Sequence, residues 1–306
     1  MIELFEQNIR KNDRQSSKGN QLKWENEGIW YKADYTGYEG LSEYMISHLL
    51  KKSTLTENEF VGYDLEKIKY GTVIYNGVKS KNFLSEDWQI ITLERLFKNF
   101  FGESLYKALY RIPEHEERLP FLVQQVERMT GLQNFGIYMN KLLTIDAFFL
   151  NEDRHTHNIA VLMNGKGDYA YCPIFDNGAG LLADTTMDYP LSGDVYALMD
   201  RVQSKTISSE FDEQLDISES LYKINLRFQF TKNDVIELLK KAEEYPEEIR
   251  NRVEMIIFAQ MRKYSYLFSS VYRIKSDRNQ NLRRDCYEKG IGIIWGINFH
   301  VAIRRL

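Results

Sequence analysis

A short polar segment separates two apolar runs in the middle of this chain. The segment NEDRHTHN occupies positions 151–158, after the apolar run LLTIDAFFL and before the apolar run IAVLM. Charged side chains are rare between two core segments unless they are paired or take part in chemistry, because burying an unpaired charge costs free energy. Three interpretations of the segment are open: a metal site, a catalytic loop, or an ordinary solvated turn.

The hydrophobic pattern divides the chain into a β-rich part followed by a helical part. Short runs of β-branched and aromatic residues, punctuated by Asn and Gly, fill the first eighty residues. From about Leu93 onward, apolar residues recur at i, i+3 and i+4, which is typical of amphipathic helices. We predict an α+β fold with two lobes, a small β-rich N-terminal lobe over residues 1–85 and a larger, mostly helical C-terminal lobe over residues 86–306.

The individual elements follow from the same patterns. The predicted strands are NQLKWEN, GIWYKADY, EFVGYDLEKI, YGTVIYNGV, NIAVLMN and YAYCPIF, with hairpin turns at ENEG and GKGD. The predicted helices are GLSEYMISHLLKK, TLERLFKNFF, RLPFLVQQVERMTG, FGIYMNKLLTIDAFFL, KNDVIELLKKAEEY and EEIRNRVEMIIFAQMRKYSYLFSS. An irregular stretch is expected from Asp176 to about Asp216, and the apolar residues 290–306 receive no assignment.

Composition limits the partners and the compartment. A net charge of −4 provides no overall basic field for nucleic acid or an anionic membrane. The two cysteines, Cys172 and Cys286, are far apart in sequence and fit a reduced chain. The first residues lack the apolar stretch of a signal peptide, and no run of about 18 apolar residues occurs. We therefore expect a cytoplasmic protein that binds neither membrane nor nucleic acid directly.

The polar segment has the spacing of a phosphotransferase loop. Asp153 and Asn158 are five residues apart, as are the Asp that takes the acceptor proton and the Asn that holds a metal ion in protein kinases. The hairpin that follows should return Asp176, in IFDNGAG, beside Asn158, where the two oxygen ligands suit Mg²⁺. The glycines at 178 and 180 would let the backbone turn out of the strand.

Two other interpretations of this segment are weighed against the loop. A solvated turn with an N-cap Asp is one of them, and a zinc or iron site at His155 and His157 is the other. Against the metal site, alternate residues of an extended segment point in opposite directions. The other histidines, His48, His115 and His300, are remote in sequence. We expect His155 to pack or hydrogen-bond within the loop and His157 to be exposed.

The N-terminal lobe should supply a cation for nucleotide phosphates. Lys32 ends an apolar strand, and Glu43 in the following helix can reach back to pair with it, as the strand lysine and the helix glutamate pair in kinases. Glu39 is a second candidate partner. The alternative is that Lys32 is a surface charge on an edge strand.

Two further stretches are candidates for nucleotide contacts. Ser16, Ser17, Lys18, Gly19 and Asn20 directly precede the first strand, and small residues there offer backbone N–H groups to phosphate oxygens. Adenine would then stack at the junction between the lobes, with backbone contacts from Asn82, Phe83 and Leu84.

Taken together, these segments resemble the HipA-like serine/threonine kinases, and especially the compact bacterial members that lack an N-terminal extension domain. The resemblance is carried by KGNQLKWENEGIWYKAD, GLSEYMISHLL, FFLNEDRHTHNIAVL and YCPIFDNGAGLL. It covers the nucleotide site and not the rest of the chain. Phosphoinositide 4-kinases have a similar architecture, so the resemblance defines ATP chemistry better than it defines the acceptor.

The resemblance implies a bilobal protein-kinase-like fold and a role for each residue. In the family the Asp of D-R-x-x-x-N acts as the base, which corresponds to Asp153, and Arg154 matches the Arg that follows it. Asn158 and Asp176 correspond to the Mg²⁺ ligands and Lys32 to the strand lysine. The implied activity is transfer of the γ-phosphoryl group of ATP to a Ser or Thr hydroxyl of a protein.

The resemblance also implies a regulatory partner and a regulatory modification. An antitoxin-like protein is the implied partner. Some HipA-type toxins are silenced by phosphorylation in the phosphate-binding loop, where Ser16 or Ser17 would be the analogous position, although this loop departs from the pattern of the larger toxins. The alternatives are a lipid or small-molecule kinase with the same fold, and a pseudokinase that acts as an interaction module.

Overall fold

The computed structural model describes residues 1–8 and 21–268. Residues 1–267 form one compact unit, and residues 268–306 belong to a second unit that lies almost entirely outside the described part. The candidate phosphate loop at 16–20 and the apolar residues 290–306 also lie outside the described residues. The boundary at residue 85 between the predicted lobes stays a prediction.

A five-stranded sheet dominates the N-terminal part. Its strands are β1 (Ile2–Leu4), β2 (Lys23–Asn26), β3 (Ile29–Ala33), β4 (Asp64–Tyr70) and β5 (Val73–Lys81), in the order β1-β4-β5-β3-β2. The predicted turn ENEG is confirmed, because Glu27 and Gly28 form a two-residue turn with φ of 51° and 76°. Positive φ at both turn positions matches the twist of the flanking strands, and glycine adopts it without a steric penalty.

Two strand assignments in this part were wrong or missing. Strand β1 was not predicted, and it pairs with β4 in parallel. The run EFVGYDLEKI becomes a strand only from Asp64 onward. Phe60, at the start of that run, instead forms a bridge with Ile174 in the other lobe, so β-rich composition there serves a contact between the lobes.

The predicted first helix is confirmed as α1 (Glu39–Leu50). It lies against β3, β4 and β5. Its buried residues occur on every side of the helix, including polar Ser42, Glu43 and Ser47. A helix buried all round is enclosed by the protein, so its polar side chains must find partners within the fold.

The C-terminal part is mostly helical, as predicted. Its helices are α2 (Leu93–Phe101), α3 (Leu105–Tyr110), α4 (His115–Thr130), α5 (Phe135–Phe149), α6 (Val195–Met199), α7 (Phe211–Tyr222), α8 (Lys232–Lys240) and α9 (Glu247–Lys263). Short 3₁₀ helices occur at Glu6–Asn8 and Ser265–Leu267. Helix α8 packs against α1, which joins the two parts. None of the helices in residues 1–8 and 21–268 is long and apolar enough to cross a membrane.

Helix α5 forms the centre of this lobe. It packs against α4, α7 and α9, and its C-terminal residues Phe148 and Phe149 meet Phe228 and Phe230 in an aromatic cluster with ring centroids 4.4 to 5.9 Å apart. The helix ends at Leu150, whose φ of 56° lies in the left-handed region. The polar segment 151–158 therefore begins at a position that the core holds firmly.

A three-stranded sheet follows the polar segment. The predicted hairpin is confirmed as β7 (Ala160–Asn164) and β8 (Tyr169–Tyr171), and β6 (Trp88–Thr92), which was not predicted, pairs with β7. Helices α3, α6 and α7 were also missed. The first two have only 6 and 5 residues, too few to show a helical period, and α7 begins inside the stretch expected to be irregular.

Candidate active site

Strand β3 places Lys32 at the centre of the candidate site. The strand lies between β5 and β2, so the alternative of an edge-strand charge is wrong. The Nζ atom of Lys32 donates to Oε1 of Glu43 over 2.7 Å, and the two side chains are 12% and 2% exposed. The structure therefore brings these two residues together, as the spacing of strand and helix suggested.

Lys32 also contacts the carboxylate of Asp176. Its Nζ lies 2.8 Å from Oδ1 of Asp176, a residue 144 positions further along the chain. Burial would lower the pKa of Lys32, but the charges of Asp176 and Glu43 raise it well above its usual value. The lysine is therefore a permanent cation at the point where the two lobes meet.

Asp176 is an ionised carboxylate at this junction. Burial alone would raise its pKa, but the charges of Lys23 and Lys32 hold the pKa well below its usual range. The Nζ atom of Lys23 lies 4.0 Å from Oδ1 of Asp176. An aspartate that stays charged at any physiological pH is suited to binding a cation.

Sequence reasoning missed Lys23, although a signal for it was present. Lys23 and Lys32 are opposite each other in the pairing of β2 with β3. A two-residue turn at Glu27 and Gly28 fixes that register, so the turn and the position of Lys32 together predict a second lysine beside it.

Glu39 does not pair with Lys32, so its assignment as a second partner was wrong. Its carboxylate accepts hydrogen bonds from the backbone N–H groups of Tyr35, Thr36 and Gly37 over 2.7 to 3.2 Å. Glu39 thereby shapes the loop that leads into α1 and helps to fix the position of that helix.

The polar segment itself is a loop of consecutive turns. The Nδ2 atom of Asn158 donates to the backbone oxygen of Asp153 over 2.9 Å and to its Oδ2 over 3.2 Å. The Asp153 side chain is 13% exposed. The five-residue spacing therefore brings these two side chains into contact.

Arg154 holds the loop against its surroundings and is 1% exposed. Its Nε lies 3.0 Å from Oδ2 of Asp146 in α5. Its Nη1 donates to the carbonyl oxygens of Asn158 and Phe175, and its Nη2 donates to Oδ1 of Asn177. One guanidinium thus joins the helix, the loop and the segment around Asp176, which gives the site a fixed geometry.

The two histidines follow the expected burial but not the expected orientation. His157 is exposed, and His155 lies with Nε2 at 3.7 Å from Oδ1 of Asp153. Burial lowers the pKa of His155. Their rings meet edge to face at 5.6 Å, because the segment turns and is not extended, so the argument that they point apart was wrong. Within residues 1–8 and 21–268, no group of three or more His, Cys, Asp or Glu side chains is arranged to hold a metal ion.

The backbone leaves strand geometry at Asp176 itself. Asp176 has a φ of 60°, whereas the glycines at 178 and 180 are not among the residues with positive φ, so the role predicted for them was wrong. Aspartate tolerates the left-handed region better than most residues. A Cβ atom on Gly180 would lie 3.0 Å from the carbonyl oxygen of Phe149 and 3.0 Å from Cδ1 of Ile46, so close packing explains this glycine.

The segment after Asp176 is fastened to the start of α1. The hydroxyl of Ser42 donates to the carbonyl oxygens of Asn177 and Gly180, and the Tyr38 hydroxyl donates to that of Leu181 over 2.7 Å. Oε2 of Glu43 accepts from the backbone N–H of Asn177 over 3.1 Å. The helix that carries Glu43 and the segment that carries Asp176 therefore hold each other in place.

The predicted adenine-binding residues follow β5. The backbone N–H of Asn82 donates to Gly28, and the ring of Phe83 lies 6.4 Å from that of Phe175. Phe175 directly precedes Asp176, so this stretch lies near the charged part of the site. Adenine contacts at Asn82, Phe83 and Leu84 stay a prediction.

The side chains present fit a magnesium ion that arrives with a nucleotide. Mg²⁺ is bound by one or two carboxylates together with phosphate oxygens and water. Asp176 supplies an ionised carboxylate that is 29% exposed. The amide nitrogen of Asn158 faces Asp153, so the amide oxygen is the atom of this side chain that can act as a ligand to a cation.

Sequence comparisons give no family assignment. No model of a known protein family matches the chain, and no curated protein matches it.

Solved structures do match. The proinflammatory kinase CtkA of Helicobacter pylori is similar over 86% of this chain and 95% of its own, with 17% sequence identity and a TM-score of 0.55. A chain from the Shewanella oneidensis MR-1 toxin–antitoxin complex of HipA, HipB and operator DNA matches over 83% of this chain and 62% of its own, with 12% identity and a TM-score of 0.41. The likeness to CtkA confirms the predicted kinase-like fold.

Proposed function

We propose that this protein is an ATP- and Mg²⁺-dependent kinase that phosphorylates Ser or Thr hydroxyls of a protein. The observation that carries the proposal is the contact of Lys32 with both Glu43 and Asp176, at 2.7 and 2.8 Å. Phosphoryl transfer in kinases requires an ion pair between a strand lysine and a helix glutamate, together with an aspartate that binds the metal ion, and here all three side chains lie together. An arrangement built from residues so far apart in sequence is poorly explained as an ordinary surface ion pair.

The chain's residues divide the work of the reaction. Lys32 and Lys23 bind the nucleotide phosphates, and residues 16–20, which lie outside the described part of the chain, are the predicted source of further phosphate contacts. Asp176 and Asn158 would hold Mg²⁺, which would supply neutralisation of the charge on the phosphates. Asp153 orients the acceptor hydroxyl and takes its proton, while Arg154 keeps Asp153 and Asn158 in register through its contact with the loop. Catalysis is mainly positioning and charge neutralisation.

The nature of the acceptor rests on the resemblance to HipA-like kinases. A lipid or small-molecule kinase would use the same nucleotide site, and a pseudokinase would keep the fold without the transfer. The presence of Lys32, Asp153, Asn158 and Asp176 favours an active enzyme over a pseudokinase. An antitoxin-like partner and self-phosphorylation at Ser16 or Ser17 are further predictions that belong to the same resemblance.

The test is incubation of the purified protein with γ-labelled ATP, Mg²⁺ and a generic protein substrate. We expect label on the protein substrate or on the kinase itself, and phosphoamino-acid analysis should identify phosphoserine or phosphothreonine. Label on inositol phospholipids alone would identify a lipid kinase. Nucleotide binding without transfer to any acceptor would identify a pseudokinase and contradict the proposal.

A further inference from the structure

Lys205 reaches the candidate base from a distant part of the chain. Its Nζ lies 3.7 Å from Oδ1 of Asp153. The Lys205 side chain is 42% exposed, whereas that of Asp153 is 13% exposed. Lys205 lies in the connection between α6 and α7, within the stretch that was expected to be irregular.

The backbone around Lys205 is fixed by buried polar contacts. The hydroxyl of Thr206 donates to the carbonyl oxygen of Arg154 over 2.7 Å, and Nη1 of Arg118 donates to the carbonyl oxygen of Ile207 over 2.8 Å. Ser204 donates to Oε1 of Gln214 over 2.7 Å. Ser204, Thr206 and Ile207 are all at least 96% buried. The backbone that carries Lys205 is therefore held in place, and its side chain extends to the loop that carries Asp153.

The geometry does not suit a lysine whose purpose is to hold Asp153. A separation of 3.7 Å is longer than a hydrogen bond between an ammonium and a carboxylate. Asp153 is already oriented by Nδ2 of Asn158. An ion pair with one partner so exposed contributes little to stability. The ammonium can therefore turn its N–H groups toward a third group that enters between Lys205 and Asp153.

We propose that Lys205 is a catalytic residue that contacts the transferring phosphoryl group from the acceptor side. This proposal rests on the function proposed above. Lys32 and Lys23 lie beside Asp176, on the side of the nucleotide, whereas Lys205 contacts the base that receives the acceptor. The phosphoryl group is thus placed between cations on both sides as it moves.

The step balances without any further reactant. The acceptor oxygen forms a bond to the γ-phosphorus while the bond from phosphorus to the β–γ bridging oxygen breaks, and its electron pair leaves with ADP. The hydroxyl proton passes to the carboxylate of Asp153. Lys205 remains an ammonium throughout and donates an N–H to a γ-phosphoryl oxygen, where negative charge is concentrated during transfer.

The test compares Lys205→Met and Lys205→Arg with Lys166→Met. Lys166 is an exposed lysine at the turn of the β7–β8 hairpin, the end opposite Asn158, so it serves as the control. Steady-state kinetics give kcat and the KM for ATP. The affinity for ADP, Mg²⁺ and aluminium fluoride, which together mimic the transferring phosphoryl group, is measured beside the affinity for ADP and Mg²⁺ alone.

A residue that acts on the transition state should change kcat and spare ground-state binding. We expect Lys205→Met to lower kcat by about 100-fold, as the loss of one stabilising donor does elsewhere, and to leave the KM for ATP within about threefold. Binding of the aluminium fluoride complex should weaken by about the same factor as kcat, while binding of ADP and Mg²⁺ stays unchanged. The kcat of Lys205→Arg should be at least about tenfold higher than that of Lys205→Met, because arginine keeps the positive charge.

Three outcomes would overturn the proposal. If wild type transfers phosphate and Lys205→Met matches Lys166→Met, the role of Lys205 is wrong and the proposed function stands. If Lys205→Met weakens ADP binding as much as it lowers kcat, the lysine serves structure or nucleotide binding. If wild type neither transfers phosphate nor binds the aluminium fluoride complex, the proposed function itself fails, and the role of Lys205 fails with it.

Discussion

Arg154 and Asp146 form an ion pair of 3.0 Å in which the side chains are only 1% and 0% exposed. Nδ2 of Asn151 also donates to Oδ1 of Asp146 over 2.9 Å. A charged pair in so dry a place is stable only while both partners and their hydrogen bonds are present. The pair links the central helix of the C-terminal lobe to the loop that carries Asp153, so stability and catalysis depend on the same contact.

Replacing Arg154 should therefore make the folded protein less stable. We expect Arg154→Ala to lower the free energy of unfolding by about 3 to 5 kcal/mol, because Asp146 is left as a buried charge without its partner. Urea denaturation measures this change. The control is Arg111→Ala, which removes an exposed pair with Glu103 and should cost less than about 1 kcal/mol. Equal losses in the two variants would contradict the role of Arg154.

The base can be tested separately from nucleotide binding. We expect Asp153→Asn to lower phosphoryl transfer by about 10²- to 10⁴-fold, because the amide cannot take the acceptor proton. The affinity for ATP, measured by calorimetry, should stay close to that of wild type, since Asp153 faces the acceptor. Near-normal turnover in this variant would exclude Asp153 from the role.

Metal dependence distinguishes the kinase from a histidine metal site. We expect Asp176→Ala to weaken the binding of ATP in the presence of Mg²⁺, measured by titration. His157→Ala should have little effect on this binding, because Mg²⁺ prefers oxygen ligands and arrives with the phosphates. Elemental analysis of the purified protein should find no stoichiometric transition metal. Zinc or iron that is present in wild type and lost in His157→Ala would instead identify an imidazole site and contradict the kinase interpretation of this loop.

Asp34, two residues after Lys32, gives the fold a pH dependence. Its Oδ1 accepts from the backbone N–H of Gly40 over 2.6 Å, and its Oδ2 accepts from the hydroxyl of Tyr245 over 2.9 Å. Burial raises the pKa of Asp34 to about 7, against a usual value of 3.8. The contact joins the end of β3 to the turn before α9, so its protonation bears on how the two parts hold together.

A raised carboxylate pKa means that stability is lost as the pH rises. The contribution of Asp34 is complete below pH 4 and disappears as the pH passes about 7, a change of up to about 4 kcal/mol at 1.36 kcal/mol per pKa unit. Urea denaturation of wild type and Asp34→Asn at pH 5, 6, 7 and 8 measures it. We expect the advantage of wild type over the variant to shrink across this range. A constant difference would show that Asp34 does not titrate there.

The sequence alone determined those contacts that neighbouring residues encode. The turn ENEG fixed the β2–β3 hairpin, because its two residues must adopt positive φ. The five-residue spacing of Asp153 and Asn158 indicated a loop of the kinase type, although the contact between these two side chains came only from the structure. The hairpin after Asn158 could be predicted from its apolar residues and its glycine-containing turn. The kinase-like fold followed from these local patterns and from the resemblance they carried.

Only the tertiary structure decided which distant residues meet. Lys32 contacts Asp176 across 144 positions, and Lys205 reaches Asp153 from a connection that looked irregular. The left-handed backbone of Asp176 and the close packing at Gly180 have no signature in the sequence, since both depend on what lies on the other side of the chain. Hydrophobic periodicity and turn residues indicate how residues a few positions apart are arranged. The distances between residues far apart in sequence are set instead by how the elements pack against one another. Those distances position the charged side chains of the candidate site.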